Sequence, residues 1–319
     1  MRVAEPAESR RTGPPCKHPS SGRGLQSEGD GFCRRIIRNV RVGRIWAEIS
    51  AIAKRSLALF FVVACSTSVA AELRPGTSAE FKVELPDELR TLAGRGQMSP
   101  VTDALVTILV PENFDAARDW PVLVVNATSV PQYHSSRTLL RDYAKAALAR
   151  GWIALAADPA EEVAVEQDDA ALRYALDKAA LEALASQWAG ANRARLAFAG
   201  FSAGAKYSGW LAAAFASEGR TIAGIYLAGI NENTVLSAAR QFKMQRDSYL
   251  RVPVFLLSGE TDEIATMADH RRVHDELRRA GFSNVRIEYF AGPHVVDPRP
   301  LQIALDWFLE VAGPTTSSR

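Results

Sequence analysis

From about residue 78 onward, short runs of apolar and β-branched residues alternate with longer segments whose apolar positions recur at helical spacing. Eight runs predict strands: Glu80–Leu85, Ala104–Val110, Val122–Val125, Ile153–Ala157, Leu196–Ala199, Ile222–Leu227, Val254–Leu257 and Val285–Tyr289. Most are continuously apolar, as expected of strands covered on both faces. Helical patterns fill the later gaps, over Ser135–Ala149, Asp168–Trp188, Ala203–Ala216, Met267–Ala280 and Pro300–Val311. The first two strands are followed by Pro86-Asp87 and Pro111-Glu112, which read as turns rather than helices and predict an antiparallel start to the sheet. Strands alternating with helices then imply right-handed crossovers. The expectation is an α/β protein with an eight-stranded, mostly parallel sheet and helices on both faces, without internal repeat or second domain.

The first 71 residues follow a different pattern. Residues 1–53 show no sustained apolar period, carry Gly13-Pro14-Pro15 and a Ser/Gly-rich stretch, and predict a disordered leader or a misplaced start. A start near Val40 or Val42 would leave a leader of ordinary length. Lys54-Arg55, a short apolar run from Leu57 to Ala64 and small residues ending at Ala70-Ala71 together have the form of a signal peptide over 54–71. The domain expected to carry the chemistry is then 72–319, exported to the periplasm or the medium. All three cysteines, Cys16, Cys33 and Cys65, fall in this leader, so the expected mature fold uses no disulfide. Val62-Val63-Ala64-Cys65 also resembles a lipoprotein box, which would make Cys65 a lipid anchor instead of part of a cleaved segment.

Charge divides at the same place. Residues 1–71 hold 12 Lys+Arg against 5 Asp+Glu, and the remaining 248 hold 26 against 31. A basic leader therefore precedes a mildly acidic body, which gives no reason to expect nucleic acid as a partner. No apolar run approaches the roughly 18 residues of a membrane span. With 47% apolar residues the chain can bury a full core.

The chemistry begins at Leu196-Ala197-Phe198-Ala199-Gly200-Phe201-Ser202-Ala203-Gly204. An apolar strand runs straight into Gly-x-Ser-x-Gly, and an alanine-rich helix follows, which is the context of a nucleophile elbow. On these residues the chain resembles the α/β-hydrolase superfamily, over roughly residues 78–313. It is similar to the serine-esterase, dienelactone-hydrolase-like and polyhydroxybutyrate-depolymerase-like branches, although dienelactone hydrolases typically use cysteine where this chain has Ser202.

The resemblance implies a serine, acid, histidine order. Val254–Asp262 looks like the family's strand and acid turn, which makes Asp262 the acid, with Glu260 and Glu263 as local alternatives. His294, in the loop after the last strand, is the implied general base. Of the two N–H donors of an oxyanion hole, one is expected from Ala203 and the other from the loop after Val122–Val125. That loop reads Asn126-Ala127-Thr128-Ser129 where many relatives carry His-Gly, so the second donor is Ala127 or Thr128. His134 and Asn231 are candidate substrate contacts, and Asn231–Arg251 is the place for a small cap. His270 and His274 share one face of a helix that reads as charged and solvent-facing, so no metal or other cofactor is expected. The implied activity is hydrolysis of a small-molecule carboxylic ester, with a prolyl-oligopeptidase-type peptidase or a non-catalytic binding protein as alternatives. Nothing in the sequence sets the oligomeric state.

Overall fold

A computed structural model describes residues 73–94, 100–127, 135–161, 163, 167–244 and 247–313. All of these lie within the compact unit Arg41–Arg319. The leader, the signal segment 54–71, Cys65, Thr128 and His134 fall outside the described residues.

Eight strands form one sheet: β1 (Ser78–Glu84), β2 (Asp103–Leu109), β3 (Val122–Asn126), β4 (Ile153–Pro159), β5 (Leu196–Phe201), β6 (Ile222–Ala228), β7 (Val254–Gly259) and β8 (Val285–Phe290). Their order is β1-β2-β4-β3-β5-β6-β7-β8. The β1–β2 and β2–β4 pairs are antiparallel and the remaining five are parallel. This matches the pattern expected from the sequence. β3, β5 and β7 are buried at every position. Removing a Leu, Ile or Phe side chain of this kind from water contributes roughly 1.5–3 kcal/mol.

The helices among the described residues are α1 (Asp87–Ala93), α2 (Ser136–Ala149), α3 (Ala170–Gln187), α4 (Ala203–Ser217), α5 (Thr234–Gln241), α6 (Asp247–Leu250), α7 (Met267–Arg279) and α8 (Arg299–Ala312). Alternate strand positions divide the core. Leu123, Val125, Ala197 and Ala199 face Leu139 and Tyr143 of α2 and Leu305 and Phe308 of α8. Val122, Val124 and Phe198 lie on the other side, in one core with Leu172 and Leu176 of α3 and Leu211 and Phe215 of α4, and Val273 and Leu277 of α7 extend that core over β7 and β8. Among the described residues no helix is long and apolar enough to cross a membrane.

Two expectations need correction. The Pro86-Asp87 signal does not mark a plain turn. Pro86 precedes the first turn of α1, where a missing N–H costs nothing, and Leu89, Leu92 and Ala93 bury one side of the helix. The segment read as a small cap contains α5 and α6. Val235, Ala238 and Ala239 are buried in the core shared with α4, so α5 is part of the body.

Candidate active site

The turn after β5 places Ser202 at φ 54° and ψ −120°, a conformation strained for a residue with a side chain. Such strain typically costs about 1–3 kcal/mol and persists only where neighbours over-determine it. Those neighbours are visible. A Cβ on Gly200 would collide with the backbone of Gly204, and one on Gly204 would run into the Asn126 carbonyl oxygen and Ala127 Cα. The Ser202 N–H donates to the Ala228 carbonyl oxygen at 2.8 Å, which ties the turn to the end of β6. Both glycines of the motif therefore serve close packing, and they bring the end of β3 against the first turn of α4.

At the end of β7, Asp262 Oδ1 accepts the N–H groups of Ile264 at 2.8 Å and Ala265 at 2.7 Å. Its Oδ2 lies 2.7 Å from His294 Nδ1, and His294 Nε2 lies 3.1 Å from Ser202 Oγ. A carboxylate facing Nδ1 assigns the proton to that nitrogen and leaves Nε2 as acceptor for the serine hydroxyl. The Asp262 side chain is 1% exposed and that of His294 11%. Glu260 and Glu263 remain exposed, so of the three carboxylates weighed from the sequence only Asp262 faces the imidazole.

His294 is set by its loop and by two glycines. Gly259 lets the Gly292 and Pro293 carbonyl groups approach the end of β7, and a Cβ on Gly229 would press on His294 Cε1 at 2.9 Å. The Phe201 ring lies against the imidazole with centroids 4.6 Å apart.

Ala203 is the first residue of α4, where a backbone N–H has no acceptor inside the helix. The Ala127 N–H donates to Ser136 Oγ at 3.2 Å. Ser136 Oγ also accepts from Arg173 Nη1 at 2.9 Å. Arg173 is buried on α3 and forks onto Asp168 at 2.7 Å through both Nε and Nη2, with Nη1 3.1 Å from Asp158. Burial works against the Arg173 charge, but the Asp168 and Asp158 carboxylates outweigh it and hold the guanidinium above its ordinary value. Asp158 in turn accepts the Ser136 and Arg137 N–H groups and caps α2. Beside this cluster, Asn126 Nδ2 donates to Asp177 Oδ2 at 3.0 Å.

The cluster escaped the sequence reading. Its one linear trace is Arg173 and Asp177 standing four residues apart on an alanine-rich helix, where Lys178 and Glu182 make them look like ordinary surface charges.

Asn231 sits near the Asp262 loop, but its side-chain amide donates to the Ile264 carbonyl oxygen at 3.2 Å. The solvent-facing reading of α7 is wrong for one of its two histidines. His270 is fully buried, with Nδ1 3.0 Å from the Thr266 carbonyl oxygen and Nε2 accepting the Ile230 N–H at 3.1 Å. His274 is on the outer side, 2.9 Å from Asp275.

No family model and no curated protein matches the chain. Solved structures do. A cold-adapted esterase from an Arctic intertidal metagenomic library is 16% identical, with a TM-score of 0.47 over 72% of this chain and 91% of that one. XC6422 from Xanthomonas campestris, described as an α/β serine hydrolase without lid, is 17% identical, with a TM-score of 0.49 over 76% and 99%. The Pyrococcus furiosus esterase Pf2001 is 16% identical, with a TM-score of 0.49 over 78% and 97%. The strand order, the antiparallel first pairs followed by parallel crossovers and the strained serine turn between β5 and α4 give this chain the α/β-hydrolase fold.

Proposed function

We propose that the protein is an exported serine hydrolase that cleaves carboxylic esters of small molecules through an acyl-enzyme intermediate. The observation that carries the reading is the unbroken chain from Ser202 Oγ through His294 to Asp262. His294 Nε2 takes the Ser202 proton as Oγ attacks the ester carbonyl carbon. The buried Asp262 carboxylate stabilises the imidazolium that forms. His294 then gives the proton to the departing alcohol, and a water molecule activated the same way hydrolyses the acyl-enzyme.

Charge develops on the former carbonyl oxygen. The Ala203 N–H is one donor to it. The second is Ala127, whose N–H donates to Ser136 Oγ in the resting site, or Thr128. Export rests on the form of residues 54–71, with lipid anchoring at Cys65 as its variant.

The test is hydrolysis of p-nitrophenyl esters of increasing acyl length by the protein and its Ser202→Ala variant. The expected result is turnover that falls by at least about 10⁴-fold in the variant, with the chain-length profile sizing the acyl pocket. Equal, negligible rates in two folded proteins would remove the ester-hydrolase reading.

A further inference from the structure

Asn126 ends β3, the strand end from which the proposed function expects its second oxyanion donor. Its carbonyl oxygen is packed where a Cβ on Gly204 would be, so any shift of Asn126 moves the strand end relative to Ser202. Its side chain is fully buried and reaches away from the site to Asp177 on α3, which is equally buried. The contact is half made. Asn126 Nδ2 donates to Asp177 Oδ2, yet Asn126 Oδ1 and Asp177 Oδ1 both lack a hydrogen-bond partner among the described residues.

Two orphan acceptors on one buried pair are costly, since each forfeits its bonds to water. A single proton on Asp177 Oδ1, donated to Asn126 Oδ1, would satisfy both. A carboxylic acid and a primary amide form a two-bond ring, in which the amide N–H donates to one carboxyl oxygen and the acid O–H donates to the amide oxygen.

The surrounding charges point the same way. On α3 the nearest cation, Arg173, is already shared between Asp168 and Asp158. A third carboxylate would leave this buried cluster with an excess of two negative charges, and a neutral Asp177 leaves one. On α4, packed beside α3, Lys206 pairs with Glu232 at 3.6 Å and the Tyr207 hydroxyl donates to the Asp168 carbonyl oxygen. Further along α3, Lys178 pairs with Glu218 at 3.0 Å. Burial, set against the Asn126 hydrogen bond and the Arg173 charge, pushes the Asp177 carboxyl up to about 7.

We infer that Asp177 works as a neutral carboxylic acid, a positioning residue that closes a two-bond ring with the Asn126 side chain and so fixes the end of β3 against the Ser202 turn. The consequence for turnover rests on the esterase reading above, and the ring itself does not. When Asp177 ionises, the bond to Asn126 Oδ1 is lost and the strand end loosens. Ester hydrolysis then declines on the alkaline side for a reason that lies outside the Ser202–His294–Asp262 chain.

The test uses the full chain and the variants Asp177→Asn and Asp177→Leu. An amide at 177 forms the same two-bond ring at every pH, and leucine forms none. Infrared difference spectra of parent minus Asp177→Asn are expected to show a protonated carboxyl band at about pH 5 that vanishes by about pH 9. This arm needs no activity, so it decides the ring even if no ester is turned over. In the ester assay, Asp177→Leu is expected to lower kcat about tenfold or more at all pH values. Asp177→Asn is expected to restore it and to abolish the alkaline decline. Absence of the carboxyl band at about pH 5 would overturn the inference, as would equal loss of kcat in the two variants.

Discussion

Ser202 carries a backbone conformation that a serine does not adopt on its own, and its neighbours leave it no other. The strain aims Oγ away from the sheet toward His294 Nε2, 3.1 Å away. The next link is held as firmly. Asp262 spends one oxygen on two backbone N–H groups of its own turn and keeps the other for the imidazole. Asp262→Asn preserves the shape and can still accept the Ile264 and Ala265 N–H groups. Its amide N–H₂ then faces Nδ1 and selects the tautomer with the proton on Nε2, which cannot accept from Ser202. The expected outcome is a folded protein with kcat lowered by on the order of 10³–10⁴-fold and KM little changed. A loss below about tenfold would show that the carboxylate does not set the tautomer. All three residues could be named from the sequence, Ser202 from its Gly-x-Ser-x-Gly turn and Asp262 and His294 from the order that the resemblance implies, each in a loop a few residues after a strand.

At the scale of elements, α7 shows what composition alone misses. Its composition is strongly charged, with Arg271, Arg272, Asp275, Glu276, Arg278 and Arg279 in one run, and it reads as solvent-facing. Yet Val273 and Leu277 bury one stripe, and His270, three residues before Val273, falls on the same stripe. There it joins the first turn of α7 to Ile230, in the loop after β6 that passes His294. Burial pushes the imidazole below its ordinary value, outweighing the Thr266 carbonyl group and the Asp262 and Asp269 charges. The unfolded chain therefore binds a proton at a higher pH than the native one, so this group's contribution is present above about pH 6.5 and is lost as the pH falls below it. Melting temperatures recorded down a pH series are expected to drop on that side, and His270→Gln is expected to flatten the drop. A variant as acid-sensitive as the parent would show that the loss originates elsewhere. The other differences at this scale are short helices. α1 follows a proline that reads equally well as a turn, and α5 and α6 occupy a segment too brief to show a clear period.

For the molecule as a whole, the division of labour runs across the sheet. Fully buried parallel strands appear in the sequence as continuous apolar runs, which is why an eight-stranded, mostly parallel sheet could be anticipated, whereas the strand order β1-β2-β4-β3-β5-β6-β7-β8 could not. The polar cluster of Asn126, Ser136, Asp158, Asp168, Arg173 and Asp177 could not be, because its members come from β3, β4, α2, α3 and the segment before α3 and meet only when folded. It locks α2, α3 and the end of β3 together behind the site, while the glycines of the elbow and the His294 loop close the site from the front. The central claim is that this frame makes Ser202 a nucleophile. The most direct measurement is the intact mass of the protein after brief exposure to a fluorophosphonate, followed by peptide mapping, with His294→Ala alongside. One equivalent of adduct on Ser202, lost in His294→Ala, is the expected result. No adduct, or one on another residue, would contradict the account.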